Sequence, residues 1–160
     1  MTLWVVKIGT SLLRGETAAT IEGYARCFAA AMARGDQVVL VTSGAVGLGC
    51  QKLALTNRPD TVVALQAAAA IGQGALMALY ERAMERHGRS VAQVLLTRSD
   101  LADRRRYQNA SGTLRQLLSW GVMPVINEND ALSTAEVRFG DNDTLSALVA
   151  AAVEAQQLIL

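Results

Sequence analysis

Short runs of aliphatic and β-branched residues recur along this chain, and a stretch with helical periodicity separates most of them from the next. The runs have the length and composition of buried strands, and they lie at residues 3–8, 38–41, 90–96, 122–126 and 156–160. Apolar residues at helical spacing cover about 16–34, 60–86, 105–120 and 142–154, and a further helix is predicted to begin near 45. Strands that alternate with helices form a parallel sheet with helices on both faces. We therefore predict a three-layer αβα sandwich with a mainly parallel, open sheet.

The bulk composition excludes several classes of partner. The chain has 160 residues and a net charge of +1, so it suits one domain and has no overall field that would attract nucleic acid or a membrane. Its most apolar window, 62–80, contains glutamine and glycine and predicts a buried helix rather than a membrane span. Cys27 and Cys50 have no metal-ligand spacing, and a disulfide between them is not required. We expect a reduced, cytoplasmic protein.

Two common nucleotide-binding motifs are missing. The only lysines are Lys7 and Lys52, and neither follows glycine as a P-loop requires. Residues 44–49 read Gly-Ala-Val-Gly-Leu-Gly, which is the wrong order for a dinucleotide-binding fingerprint. Nucleotide binding by either of these two motifs is therefore excluded.

Lys7 lies inside an apolar run and is followed by Gly9 and Thr10. An unpaired ammonium is costly to bury, so the residue either extends to solvent from the strand end or meets a counter-charge. In the functional interpretation, Lys7 stabilises charge on a phosphoryl group, and the backbone amides of Gly9 and Thr10 contact its oxygens.

A second motif, Thr42-Ser43-Gly44-Ala45, joins a predicted strand to a predicted helix. Ser43 can act as a simple N-cap. Alternatively, the Ser43 hydroxyl and the free N–H groups after Gly44 bind an anion at the helix start. The further glycines at 47 and 49 favour the anion-binding interpretation.

Two polar clusters follow later in the chain. Residues 127–130, Asn-Glu-Asn-Asp, come after a strand, at the end where parallel sheets gather ligands, although a surface turn has the same composition. Residues 141–143, Asp-Asn-Asp, precede a helix and exceed what capping alone requires. By contrast, His87 near a helix end and the arginines at 104–106 fit structural roles, and no metal-ligand set stands out.

Five blocks resemble the glutamate 5-kinases, a group within the amino-acid kinase family, in order and in spacing. They are VVKIGTS at 5–11, VTSGAV at 41–46, LLTRSDL at 95–101, PVINEND at 124–130 and GDNDTLSA at 140–147. The resemblance covers essentially the whole chain. It implies the amino-acid kinase fold and the ATP-dependent phosphorylation of the L-glutamate side-chain carboxylate, the first step of proline biosynthesis.

The resemblance also implies roles for individual residues. Lys7 would contact the ATP phosphates and the transferred group, and Asp143 would hold Lys7 in place. Ser43, Asp130 and Asn142 would bind L-glutamate. Mg²⁺ would arrive with ATP, proline is expected as a feedback inhibitor, and a homo-oligomer is expected.

Residues 1–160 would then be the N-terminal, glutamate-binding part of an amino-acid kinase domain. The family's adenine-binding loops, its second phosphate-binding lysine and the PUA domain of many members have no counterpart here. The chain is therefore expected to be truncated and unable to turn over ATP alone. The alternative is a non-catalytic module that binds glutamate or proline for regulation.

Overall fold

The computed structural model describes residues 1–10, 17–132 and 142–160. The strands are β1 (Leu3–Lys7), β2 (Gln37–Val41), β3 (Val91–Leu96), β4 (Met123–Glu128) and β5 (Gln157–Ile159). The helices are α1 (Thr17–Ala33), α2 (Ala45–Lys52), α3 (Val62–Glu85), α4 (Arg98–Ala102), α5 (Arg104–Ser119) and α6 (Asn142–Val153). The five strands form one sheet in the order β3-β4-β2-β1-β5, and every pair is parallel. The predicted parallel sheet is confirmed.

Helices cover both faces of this sheet because alternate residues of each strand point to opposite sides. In β2, Val38 and Leu40 join one apolar cluster with α1 and α3. Val39 and Val41 join a second cluster with α4, α5 and α6. All four side chains are buried, and burial of each contributes about 1.5–3 kcal/mol. A continuous apolar run in a central strand therefore specifies three layers.

Two glycines allow α2 to lie directly against α3. A Cβ at Gly72 would stand 1.7 Å from the carbonyl oxygen of Ala45, and one at Gly49 would stand 1.8 Å from that of Ala68. Both distances are shorter than real Cβ contacts allow. Gly49 is therefore explained by helix packing, which corrects its interpretation as part of an anion-binding turn.

Strand β4 extends two residues beyond its predicted end at 126. Asn127 and Glu128 are buried and pair with Leu95 and Leu96 of β3. Pro124 lies in this interior strand, but the pairing of β4 with β2 begins one residue later, at Val125. The first two residues of the polar cluster at 127–130 thus belong to the sheet itself.

Helix α3 corresponds to the apolar window at 62–80. Within the described residues it is the one helix long and apolar enough to cross a membrane by length and composition. One side of it buries Leu76, Tyr80 and Met84 in the core beneath the sheet. Core packing therefore accounts for this side of the helix, whereas only 28% of its most apolar window is buried, less than the prediction of a buried helix requires.

Candidate active site

A cleft of about 250 Å³ opens at the carboxyl ends of the central strands. Its lining comes from the ends of β1, β2 and β4, from the first turns of α2 and α6, and from the segment after α2. The lining residues are Thr10, Ser43, Gly44, Ala45, Val46, Gly47, Arg58, Asn127, Asp130 and Asn142. This volume lies just below the range of about 300–1,000 Å³ that is typical of drug-sized ligands, so the cleft suits a small metabolite.

Lys7 and Asp143 form an ion pair beside this cleft. Lys7 ends β1, and its Nζ lies 2.6 Å from Oδ1 of Asp143 in the first turn of α6. The Lys7 side chain is 17% exposed and that of Asp143 is 58% exposed. Lys7 is paired in register with Val41 of β2, which directly precedes the Thr42-Ser43 turn. The ammonium therefore meets a counter-charge, and the alternative of a lysine that simply extends to solvent is wrong.

The turn after β2 presents backbone N–H groups to the cleft. Gly44 is the N-cap of α2, with φ 105° in the left-handed region that glycine adopts without strain. Since no side chain caps this helix, the interpretation of Ser43 as an N-cap is wrong. The first N–H groups of a helix have no intrahelical partner, and Ala45, Val46 and Gly47 line the cleft. The turn can therefore hold an anion.

Asn142 joins three elements at the inner wall of the cleft. Its Nδ2 donates to the carbonyl oxygen of Thr42 at 2.5 Å, to Oγ of Ser43 at 2.9 Å and to Oδ1 of Asn127 at 3.1 Å. The side chain is thus engaged across the sheet and does not cap its own helix. Its Oδ1 is buried and has no hydrogen-bond partner among the described residues. A ligand that donates a hydrogen bond would satisfy that oxygen.

Asp130 brings a carboxyl with altered acidity to the lining of the cleft. Burial raises the pKa of Asp130 to about 6, the nearby Glu128 adds to the rise, and Arg58 opposes it. Below pH 6 the group is therefore mainly a neutral donor, and above pH 6 it is a carboxylate. A shifted carboxyl in a polar cleft is a candidate ligand contact.

The structure brings most of the predicted site residues together. Ser43, Asp130 and Asn142 line one cleft, as do Thr10 and Gly44, whereas Gly9 precedes Thr10 and does not line it. The roles assigned to these residues in binding glutamate and phosphate stay predictions. The sequence also suggests a short hairpin at 136–139, and that segment lies outside the described residues, as does position 141 of the second polar cluster.

Three residues near the site were missed by sequence reasoning. Arg58 lines the cleft from the segment after α2, and no motif marked it. Gln73 and Gln93 extend the hydrogen bonding of Asn127 away from the cleft. A signal for Gln73 existed, since a glutamine amid apolar helical residues requires a buried partner.

His87 lies just beyond α3 with its Nε2 3.7 Å from Glu22, and it is not among the residues that line the cleft.

An all-parallel αβα sandwich with a polar cleft at its strand ends defines an α/β domain of the kind that gathers ligands at that edge of the sheet. A comparison with protein families assigns the domain to one family. A model described as the amino acid kinase family matches residues 2–160, and the chain belongs to that family.

Curated relatives are similar over the whole chain. A protein named glutamate 5-kinase from Synechococcus sp. (strain CC9605) is 94% identical over 160 residues, and another from Parasynechococcus marenigrum (strain WH8102) is 79% identical. The chain is covered completely in both comparisons, and it spans 45% of the length of each relative.

Solved structures share the fold at low sequence identity. A carbamate kinase from Giardia matches with a TM-score of 0.66 and 15% identity, over 98% of this chain and 72% of that one. An aspartate kinase from Synechocystis matches with a TM-score of 0.60 and 15% identity, over 99% of this chain and 28% of that one. These matches confirm the predicted amino-acid kinase fold.

Proposed function

We propose that the protein takes part in phosphorylating the side-chain carboxylate of L-glutamate with ATP, which forms γ-glutamyl phosphate. The observation that carries this proposal is the Lys7–Asp143 ion pair beside a small polar cleft at the strand ends. Relatives named glutamate 5-kinase, at up to 94% identity, support the choice of reaction. The product would enter proline biosynthesis.

The chemistry needs no general base. A glutamate side chain has a pKa of about 4.3, so the attacking carboxylate is already ionised at neutral pH. Its oxygen would bond to the γ-phosphorus of ATP while the bond to the bridging oxygen breaks and ADP leaves. The main barrier is the approach of two anions in line. Lys7 would offset that charge, and Asp143 would keep its ammonium in place.

Different residues of the cleft lining would contact different groups of the two substrates. The carboxylate of Asp130 is an acceptor that suits the ammonium group of glutamate, as is Oδ1 of Asn142, which has no partner within the part of the chain that the structure describes. Ser43 would bind the amino acid as well. The backbone at Gly9, Thr10 and Gly44 would contact phosphate oxygens.

Mg²⁺ would reach this site on the phosphates of ATP. Across residues 1–10, 17–132 and 142–160, no three acidic, histidine or cysteine side chains come together as a metal site. Mg²⁺ in phosphoryl-transfer sites is commonly held by one or two carboxylates together with substrate phosphates. A metal that arrives on the ATP phosphates would not need a set of three such side chains.

Residues 1–160 would be the glutamate-binding part of a kinase domain. We expect the purified 160-residue chain to bind L-glutamate in calorimetry and to form no γ-glutamyl phosphate alone. Fused to the remaining C-terminal part of the Synechococcus sp. (strain CC9605) relative, it should form that product. Glutarate, which lacks the ammonium group, is the matched control ligand and should bind much more weakly. A completed chain that binds glutamate but forms no product would contradict the proposal.

The small size of the cleft also fits a non-catalytic module that binds glutamate or proline. An ATP analogue discriminates between the two, because the completed kinase binds both glutamate and the analogue, whereas a sensor needs only the amino acid. Feedback inhibition by proline, homo-oligomeric assembly and a cytoplasmic location are predictions that accompany the kinase proposal.

A further inference from the structure

Four amide side chains from four different elements form one hydrogen-bonded chain that ends at the cleft. Nε2 of Gln73 in α3 donates to Oε1 of Gln93 in β3 at 2.8 Å. Nδ2 of Asn127 in β4 donates to Oε1 of Gln73 at 2.8 Å. Nδ2 of Asn142 in α6 donates to Oδ1 of Asn127 at 3.1 Å. We call this series the amide chain.

Backbone groups fix the direction of every bond in the amide chain. The backbone N–H of Glu128 donates to Oδ1 of Asn127 at 2.9 Å, and the carbonyl oxygen of Thr42 accepts from Nδ2 of Asn142. A backbone N–H can only donate and a carbonyl can only accept, so neither asparagine can turn over without losing these bonds. The nitrogen of Asn127 must then face Gln73, which in turn must present its oxygen.

This direction determines what Asn142 offers to a ligand. Its nitrogen is committed to Thr42, Ser43 and Asn127, so its oxygen is left without a partner among the described residues. Without its partner in α3, the Asn127 amide would keep only its bonds to Glu128 and Asn142, and the acceptor that helps to orient Asn142 would be held less firmly. Gln73 is therefore linked to the cleft although it does not line it.

Packing alone does not explain a glutamine at position 73. The residue is 9% exposed on the side of α3 that faces the core, and its neighbour on that side, Leu76, is fully buried. A buried amide is costly unless it is hydrogen-bonded, and an aliphatic side chain would avoid that cost. A glutamine at position 73 supplies both the donor and the acceptor that the amide chain requires there.

We propose that Gln73 is a positioning residue, which orients Asn127 and through it Asn142, so that the oxygen of Asn142 is presented to the ammonium group of an amino-acid substrate. This inference deepens the proposed function and rests on it for the identity of the substrate. The orientation of Asn142 is a property of the protein alone and can be measured without a ligand.

The test compares Gln73→Leu with Leu76→Val, a matched control that removes one methylene from the same helix. Calorimetry gives the Kd for L-glutamate, and NMR follows the solvent exchange of the side-chain amide protons of Asn142. In Gln73→Leu we expect Kd to rise about tenfold and the exchange to accelerate about tenfold, since losing a buried partner costs roughly that factor. Leu76→Val should lower the Tm and leave both readouts unchanged.

Equal changes of Kd in the two variants would overturn the inference, as would unchanged Asn142 exchange in Gln73→Leu. If Gln73→Leu does not fold, Gln93→Ala at the exposed end of the amide chain provides the same test, with an expected change of about twofold to threefold in both readouts. Wild-type protein without affinity for glutamate would refute the proposed function, and the exchange measurement would still decide the role of Gln73.

Discussion

Replacing Asp143 with asparagine should separate the catalytic value of the Lys7–Asp143 pair from its value for stability. The two charges lie 2.6 Å apart, which corresponds to about 1.6 kcal/mol in bulk water and about 6 kcal/mol at an effective dielectric of 20. Asp143 is 58% exposed, however, and pairs with such exposure contribute only about 0.2–1 kcal/mol net. We therefore expect Asp143→Asn to lower the Tm by no more than about 2–4 °C.

The effect on the reaction should be larger than the effect on stability. Without its partner, Lys7 regains side-chain freedom that is worth up to about 2 kcal/mol, and the transition state must order that side chain again. A difference of 1.4 kcal/mol is tenfold in rate, so kcat should fall by about 30-fold. The KM for glutamate should change little, because Asn142 and Asp130 are untouched.

The assay uses the chain completed with the C-terminal part of its Synechococcus relative. Hydroxylamine traps the acyl phosphate as a hydroxamate, and thermal unfolding is followed in parallel. Glu154→Gln is the matched control, since it breaks the exposed Arg115–Glu154 pair of 2.8 Å between α5 and the end of α6. Equal losses of kcat in the two variants, or more than half the activity left in Asp143→Asn, would refute the reasoning.

Two further predictions test the acidity of the cleft and the packing behind it. Because the pKa of Asp130 is raised to about 6, the affinity for glutamate should fall by up to tenfold per pH unit below pH 6 and should be level from about pH 7 to 8. Calorimetry measures this dependence, and Asp130→Asn should remove it. The stability of the unliganded protein should depend on pH in the opposite direction to the affinity. Because the pKa is raised in the folded state, the free energy of unfolding should fall as pH rises from about 4 to 6. Gly72→Ala should destabilise the protein by more than about 3 kcal/mol in urea unfolding, because its Cβ would meet the Ala45 carbonyl. Gly74→Ala, where nothing lies within 4 Å, should be neutral or stabilise by up to about 1 kcal/mol, and equal losses for the two would contradict the packing explanation.

The three layers of the fold were predictable because the strands and most of the helices show local patterns of apolar residues. Strand β2 is apolar on both faces, and that requires helices on both sides of the sheet. The bounds of α1, α3, α5 and α6 followed from periodicity to within one or two residues, whereas α4 was not predicted as a helix. The end of β4 was misplaced because Asn127 and Glu128 resemble a turn, whereas their partners in β3 and α3 keep them in the sheet.

The pairings within the site were less accessible to sequence reasoning. Lys7 and Asp143 are 136 positions apart, and only the family resemblance suggested that they meet. Arg58 and Gln73 reach their places through the packing of α2 on α3, which depends on the close approach at Gly49 and Gly72. Such contacts arise from tertiary geometry, so no local periodicity or spacing predicts them.

The first turn of α6 links the two halves of the proposed reaction. Asn142 and Asp143 are consecutive, so their side chains leave the helix about 100° apart and serve different partners. Asn142 bonds to Thr42, Ser43 and Asn127 where glutamate is proposed to bind, and Asp143 pairs with Lys7 where the phosphates are proposed to lie. A displacement of this turn would disturb both contacts together. In the proposed reaction, this turn would therefore set the distance between the attacking carboxylate and the cation that offsets the charge of the transferred group. That distance would decide whether two anions can meet in line.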